Sequence, residues 1–178
     1  GHMIVNLSKK EMDWCRDFAT ERWDHCRSVG AKRHRFDNKK GGMDELVGLM
    51  GELAFAKIFK AEVNKDQKVT PYDFKIPIHG SVKTVDVKST PLKYGNLLDK
   101  PFHKNIACDY YTLCIVSEQQ SSVYMAGWVK GEDFFQPNNL KHMKYGKCYF
   151  VSREELNPIE DLLSDKPKQR SGKKMGRA

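Results

Sequence analysis

The chain has 178 residues, 39% hydrophobic and 30% charged, with 31 Lys and Arg against 23 Asp and Glu for a formal charge of +8. That length suits one domain with its own core, and the composition excludes fibrous, collagen-like and disulfide-scaffold classes. The positive excess fits an acidic polymer as partner, and no apolar run reaches the roughly 20 residues of a membrane-spanning helix.

Gly1-His2-Met3 reads as a tag scar ahead of a native Met3, with no signal-peptide core behind it. Cys15, Cys26, Cys108, Cys114 and Cys148 are odd in number and irregular in spacing, which predicts small buried side chains in a reducing, cytoplasmic setting. Ser8 and Glu11 form a capping-box signal. Met12, Cys15, Phe18, Ala19 and Cys26 then recur at helical spacing and predict a helix over 8–28. A basic loop follows, with Lys32, Arg33, Arg35, Lys39 and Lys40 before the Gly41-Gly42 pair. From Asp44 to Lys60 a helix is predicted that is apolar nearly all round and so largely buried.

Residues 72–78 alternate like a strand and turn at His79-Gly80 into a second strand, Val82–Thr90. Pro91 ends it and opens a long irregular excursion over 92–108. Tyr110–Val116 and Val123–Val129 predict a second hairpin, and the stretch from Phe134 to Phe150 is less regular. The whole predicts an α/β domain over 1–163 with one central mixed sheet flanked by helices, followed by a basic, disordered tail at 164–178.

Asp86-Val87-Lys88 lies inside a strand, so Asp86 and Lys88 share one face while Val85 and Val87 take the other. Alone, such a triplet reads as an exposed ion pair. Asp73 begins the preceding strand, where hairpin pairing brings its carboxylate beside that of Asp86. Like charges so placed repel unless a divalent cation lies between them, which implies Mg²⁺ or Mn²⁺. Glu52 stands alone in the apolar helix among Gly48, Gly51 and Ala56, suited to a metal or metal-water contact or to a buried arginine or backbone partner.

Gly51-Glu52-Leu53-Ala54-Phe55 on a helix, then Tyr72-Asp73-Phe74, then Val85-Asp86-Val87-Lys88-Ser89-Thr90, resembles the PD-(D/E)XK nuclease superfamily, the restriction-endonuclease-like fold. The resemblance covers roughly 44–130, and Asp109-Tyr110-Tyr111 and Gly127-Trp128 are similar to phage-type and Holliday-junction-resolvase-like members. Tyr72 stands where the motif has proline. The resemblance implies that Asp73, Asp86 and the Val87 carbonyl ligate the metal, that Glu52 acts directly or through water, and that Lys88 orients the attacking water and stabilises phosphate charge. It implies a Mg²⁺-dependent deoxyribonuclease that is structure- or end-dependent; a phage-type or Holliday-junction-resolving member would be a homodimer, for which the apolar faces of the first helix could serve. A DNA-binding protein without cleavage and an RNA nuclease are the alternatives, since nothing in the residues separates ribose from deoxyribose.

An acidic site needs flanking positive charge to receive phosphate. Three basic segments offer it: 32–40, 93–104 and the tail. Lys93, Tyr94, Lys100, Phe102, His103 and Lys104 interleave cations with rings, a composition for stacking on unpaired bases or for a loop folded back onto the sheet. Ser89 and Thr90 are placed to bond phosphate or to be ordinary strand residues. Tyr111 and Trp128 are expected in the core, and His25, His34, His79 and His142 in structural or surface roles.

Overall fold

The computed structural model describes residues 3–28, 41–64, 70 and 72–164. The basic loop at 32–40 and the tail from 165 onward lie outside the described residues. Chain order begins with strand β1 (Met3–Asn6), helix α1 (Lys9–Ser28) and helix α2 (Gly41–Phe59). The Ser8 hydroxyl accepts from the Glu11 N–H at 3.1 Å and the Glu11 carboxylate accepts from the Ser8 N–H at 2.8 Å, so the expected capping box starts α1. Lys57 Nζ then ties α2 to the same Glu11 carboxylate at 2.9 Å.

The first hairpin is β2 (Phe74–Ile78) with β3 (Ser81–Thr90), and the second is β5 (Tyr110–Ser117) with β6 (Ser122–Lys130). β3 and β5 run parallel, giving a five-stranded mixed sheet in the order β1-β6-β5-β3-β2. Met3 and Ile4 pair with Met125 and Tyr124, so the first strand of the sheet begins at the residue read as following a tag scar.

The excursion at 92–108 is more ordered than expected. It contains β4 (Leu97–Asp99) and a 3-10 segment (Pro101–Ile106). The stretch after Phe134 likewise holds β7 (Leu140–Met143) and β8 (Gly146–Val151), reached through a short helix α3 (Gly131–Phe134); helix α4 (Glu160–Leu163) follows. β4 pairs with β8 across some fifty residues to make a second sheet, β4-β8-β7. A three-residue strand whose partner is so far along the chain carries no local period to announce it.

Two cores result. Between α1, α2 and one face of the large sheet lie Met12, Cys15, Phe18, Leu49, Met50, Phe55, Val85 and Cys114, all buried. On the other face Tyr111, Leu113, Val129, Phe134, Tyr149 and Val151 fill the space toward the small sheet. Met12, Cys15, Phe18 and Ala19 of α1 are therefore packed inside the molecule. Cys15 and Cys108 are buried, and burial pushes their thiols up to about 11 and about 12, as expected of packing residues. Trp128 is buried with its indole N–H on the Pro158 carbonyl at 2.8 Å, and the His79 ring is bonded to the Asp161 carbonyl at 2.8 Å. No described helix is long and apolar enough to cross a membrane.

Gly131 permits the turn from β6 into α3: its N–H donates to the Asp109 carbonyl at 2.9 Å, and a Cβ there would collide with the Cys108 carbonyl oxygen. Because backbone cannot rotate away as a side chain can, Gly131→Ala is expected to cost about 1–3 kcal/mol in urea denaturation.

Candidate active site

The site forms where β2 begins. Phe74 is paired with Val85 and Lys75 with Thr84, so the antiparallel register sets Asp73 opposite Asp86. The Asp73 N–H donates to the Val85 carbonyl at 3.0 Å, and one oxygen of its carboxylate accepts from the Val87 N–H at 2.8 Å. Asp73 thus caps β3 with a side chain where β2 has run out. The Val87 N–H and C=O point to the same edge of the strand, so the carbonyl faces the β2 side as well.

Strand alternation separates the faces as expected. Val85 and Val87 are buried against α2, while Asp86 and Lys88 face the space under β4 and the 3-10 segment. Lys88 Nζ lies 3.1 Å from Asp86 Oδ2 and 3.6 Å from Asp99 Oδ1. The same Asp99 oxygen contacts His103 Nδ1 at 2.5 Å and accepts the Lys100 N–H at 2.8 Å. Asp86, Lys88, Asp99 and His103 line a cavity of about 520 Å³ together with Thr70, Phe102, Ile106 and Tyr111. Tyr111 is therefore both a core residue and a wall of this cavity, its hydroxyl accepting the Cys108 N–H at 3.1 Å.

Burial opposes the charge on Lys88, but Asp86, Asp99 and Asp73 outweigh it and hold the ammonium above its ordinary range. Lys88 is accordingly a fixed cation. Burial also pushes the Asp73 carboxyl well above the usual carboxylate range; the charges of Asp86 and Glu52 push the same way, against the Val87 N–H and Lys88. Glu52 is raised by burial; Arg22 opposes the shift and Asp86 adds to it. The three carboxylates come from α2, the start of β2 and the middle of β3, and their charges act on one another.

Each acid also has a nearer companion. Glu52 Oε1 is 3.5 Å from Arg22 Nη2, Asp73 holds the Val87 N–H, and Asp86 contacts Lys88. Among the described residues no group of three His, Cys, Asp or Glu side chains is set to hold a metal ion. The donor chemistry nevertheless suits Mg²⁺ or Mn²⁺, with hard carboxylate oxygens under mutual repulsion. Asp86 Oδ2 is buried and takes no well-aligned hydrogen bond beyond its ion-pair contact.

Ser89 does not join this group. Its hydroxyl is buried without a partner on the α2 side, where a Cβ on Gly51 would collide with it. Thr90 caps the following turn by accepting the Leu92 N–H at 3.1 Å. Tyr94 is exposed under Arg153, whose guanidinium carbon is 5.2 Å from the ring centroid, with Lys93 Nζ at 5.7 Å. Lys100 is exposed beside the cavity. Lys104 faces a separate polar cleft with Lys83 and Lys130. Lys32, Arg33, Arg35, Lys39 and Lys40 are outside the described residues. Asp99 and Arg22 are the residues that the sequence reading missed. Asp99 is a lone acid in an otherwise basic segment, and Arg22 sits one turn after Phe18 on α1, its guanidinium carbon 5.0 Å from that ring.

The chain matches no family model, no curated protein and no solved structure.

A stability test follows from the raised Asp73. Between the ordinary carboxylate pKa and the raised one, the folded protein holds a proton that the unfolded chain has lost. Stability therefore falls as pH rises through that window, and the penalty is complete above it. Without divalent cation, Asp73→Asn should be more stable than wild type at about pH 8 and gain nothing near pH 3, below the ordinary carboxylate value. Urea midpoints at the two pH values check this.

Proposed function

We propose that the protein is a Mg²⁺- or Mn²⁺-dependent nuclease of PD-(D/E)XK type. It hydrolyses DNA phosphodiester bonds in a structure- or end-dependent way on a restriction-endonuclease-like core. The observation that carries this is the β2–β3 register that sets Asp73 opposite Asp86 beside the Lys88 ammonium, with the buried Glu52 carboxylate near enough for its charge to act on them. Buried carboxylates that raise one another serve the fold poorly, which favours a ligand as the reason for their placement.

Asp73, Asp86 and the Val87 carbonyl would hold the metal, with Glu52 reaching it directly or through water. Bound there, a divalent cation supplies a water of lowered pKa and a Lewis acid for the phosphoryl oxygen. The protein's own groups do the rest. Lys88, kept protonated by Asp86 and Asp99, presents positive charge to the phosphate and donates hydrogen bonds to the attacking water. It is not a free base. Phe102, exposed at the cavity, offers a face for an unpaired base, and Lys93 and Lys100, exposed on the same segment, offer charge for the backbone, with Lys104 in the separate cleft.

A second reading, DNA binding without cleavage, draws on the absence of a closed metal-binding group among the described residues. The two separate cleanly. Wild type and Asp86→Ala are incubated with labelled linear, branched and single-stranded DNA, and with RNA, in Mg²⁺ or in chelator. The nuclease reading expects cleavage by wild type in Mg²⁺ alone. Binding without cutting by both proteins under every condition overturns it, and cleavage confined to RNA changes the substrate.

A further inference from the structure

A complete phosphodiester hydrolysis needs three things: a nucleophile, charge opposite the phosphate, and a proton for the departing sugar oxygen. The residues assigned above supply the first two. Lys88 is held as an ammonium by two carboxylates, and Asp73, Asp86 and Glu52 would be taken up by the divalent cation, with Glu52 also beside Arg22. None of them is free to protonate the leaving group.

We propose that His103, held by Asp99, is the proton donor to the leaving oxygen, so that the site joins an Asp-His pair to the carboxylates and lysine. Four observations carry it. Asp99 is almost fully buried, its side chain 4% exposed, and its Oδ1 bonds His103 Nδ1. That contact fixes the ring and leaves Nε2 with no hydrogen-bond partner among the described residues. The ring is 29% exposed, so substrate can reach it. It also lines the same cavity as Asp86 and Lys88, and the oxygen that holds it lies 3.6 Å from Lys88 Nζ. Phe102 meets the ring edge-on, with centroids 4.2 Å apart, and limits its rotation.

In the step, a water that has already given one proton to solvent forms, as hydroxide, a bond to phosphorus. The bond from phosphorus to the sugar oxygen breaks, and its electron pair stays on that oxygen. The oxygen takes the proton from His103 Nε2, leaving a hydroxyl end, a phosphate end and a neutral imidazole that solvent recharges. The proposal rests on the nuclease reading, and the test tells the two apart.

Cleavage of one oligonucleotide is compared with cleavage of the same oligonucleotide carrying sulfur in place of the bridging oxygen that leaves, in Mn²⁺. Sulfur departs as a thiolate and needs no proton. His103→Gln is expected to lower the oxygen-to-sulfur rate ratio by about 100-fold, because the oxygen substrate alone loses its acid. Lys88→Ala slows both substrates and keeps the ratio. Asp99→Asn lowers the ratio in the direction of His103→Gln, beyond any loss common to both substrates, which a purely structural role would not do. An unchanged ratio in His103→Gln, whether both rates fall or neither does, overturns the assignment of His103 while wild-type cleavage leaves the nuclease reading intact. Failure of wild type to cut either substrate overturns both.

Discussion

Asp86→Asn is expected to lower Mg²⁺-dependent DNA cleavage by about 10²–10³-fold or more while leaving the fold in place. Asp86 stands between the two halves of the site, opposite Asp73 in the β2–β3 register and 3.1 Å from Lys88 Nζ. The amide keeps the shape of the side chain and removes its charge, so a metal loses a ligand while the core under Val85 and Val87 is untouched. Lys88 retains Asp99 as counter-ion. DNA affinity in chelator should hold or tighten, because one negative charge has left a surface that receives phosphate. Single-turnover kinetics beside a gel-shift titration give both readings. Cleavage within a few-fold of wild type would remove Asp86 from the site.

Phe55→Ala should be the most damaging single truncation of the core, at about 3–5 kcal/mol of unfolding free energy. Phe55 is fully buried on α2, stacked on Phe59 at 4.2 Å and tilted against Phe74 at 4.8 Å. Phe74 follows Asp73 directly, and Phe55 lies three residues after Glu52 on the same helix. One ring thus packs between the two segments that carry these carboxylates. The resulting cavity is expected to loosen the site as well as weaken the fold. Urea denaturation followed by far-UV circular dichroism measures the first effect. A loss below about 1 kcal/mol would mean that the core closes around the gap.

Much of this was legible in the residues. Ser8 and Glu11 announced the start of α1, apolar residues nearly all round the helix announced a buried α2, and the two hairpins followed from alternation and turn residues. The period of two also separated Asp86 and Lys88 from Val85 and Val87. Taken one step further, that period places Ser89 on the valine face, where the structure has it packed toward Gly51. What escaped was non-local. β4 is three residues long and exists through its pairing with β8, so neither the second sheet nor the placing of Asp99 at the end of β4 could be read from spacing. Nothing in the local sequence singles out Arg22, and only the packing of α1 on α2 brings it to Glu52. The restriction-endonuclease-like identity of the core rests on motif order and remains part of the proposal.

The central claim is that Glu52, Asp73 and Asp86 share one divalent cation beside Lys88. Calorimetric titration of Mn²⁺ into wild type, Glu52→Gln, Asp73→Asn and Asp86→Asn tests it without any substrate. The account predicts saturable binding to wild type and a loss of about 10-fold or more in affinity for Asp73→Asn and Asp86→Asn, with a smaller loss for Glu52→Gln. Wild type that binds no Mn²⁺, or variants that bind it equally well, would contradict it.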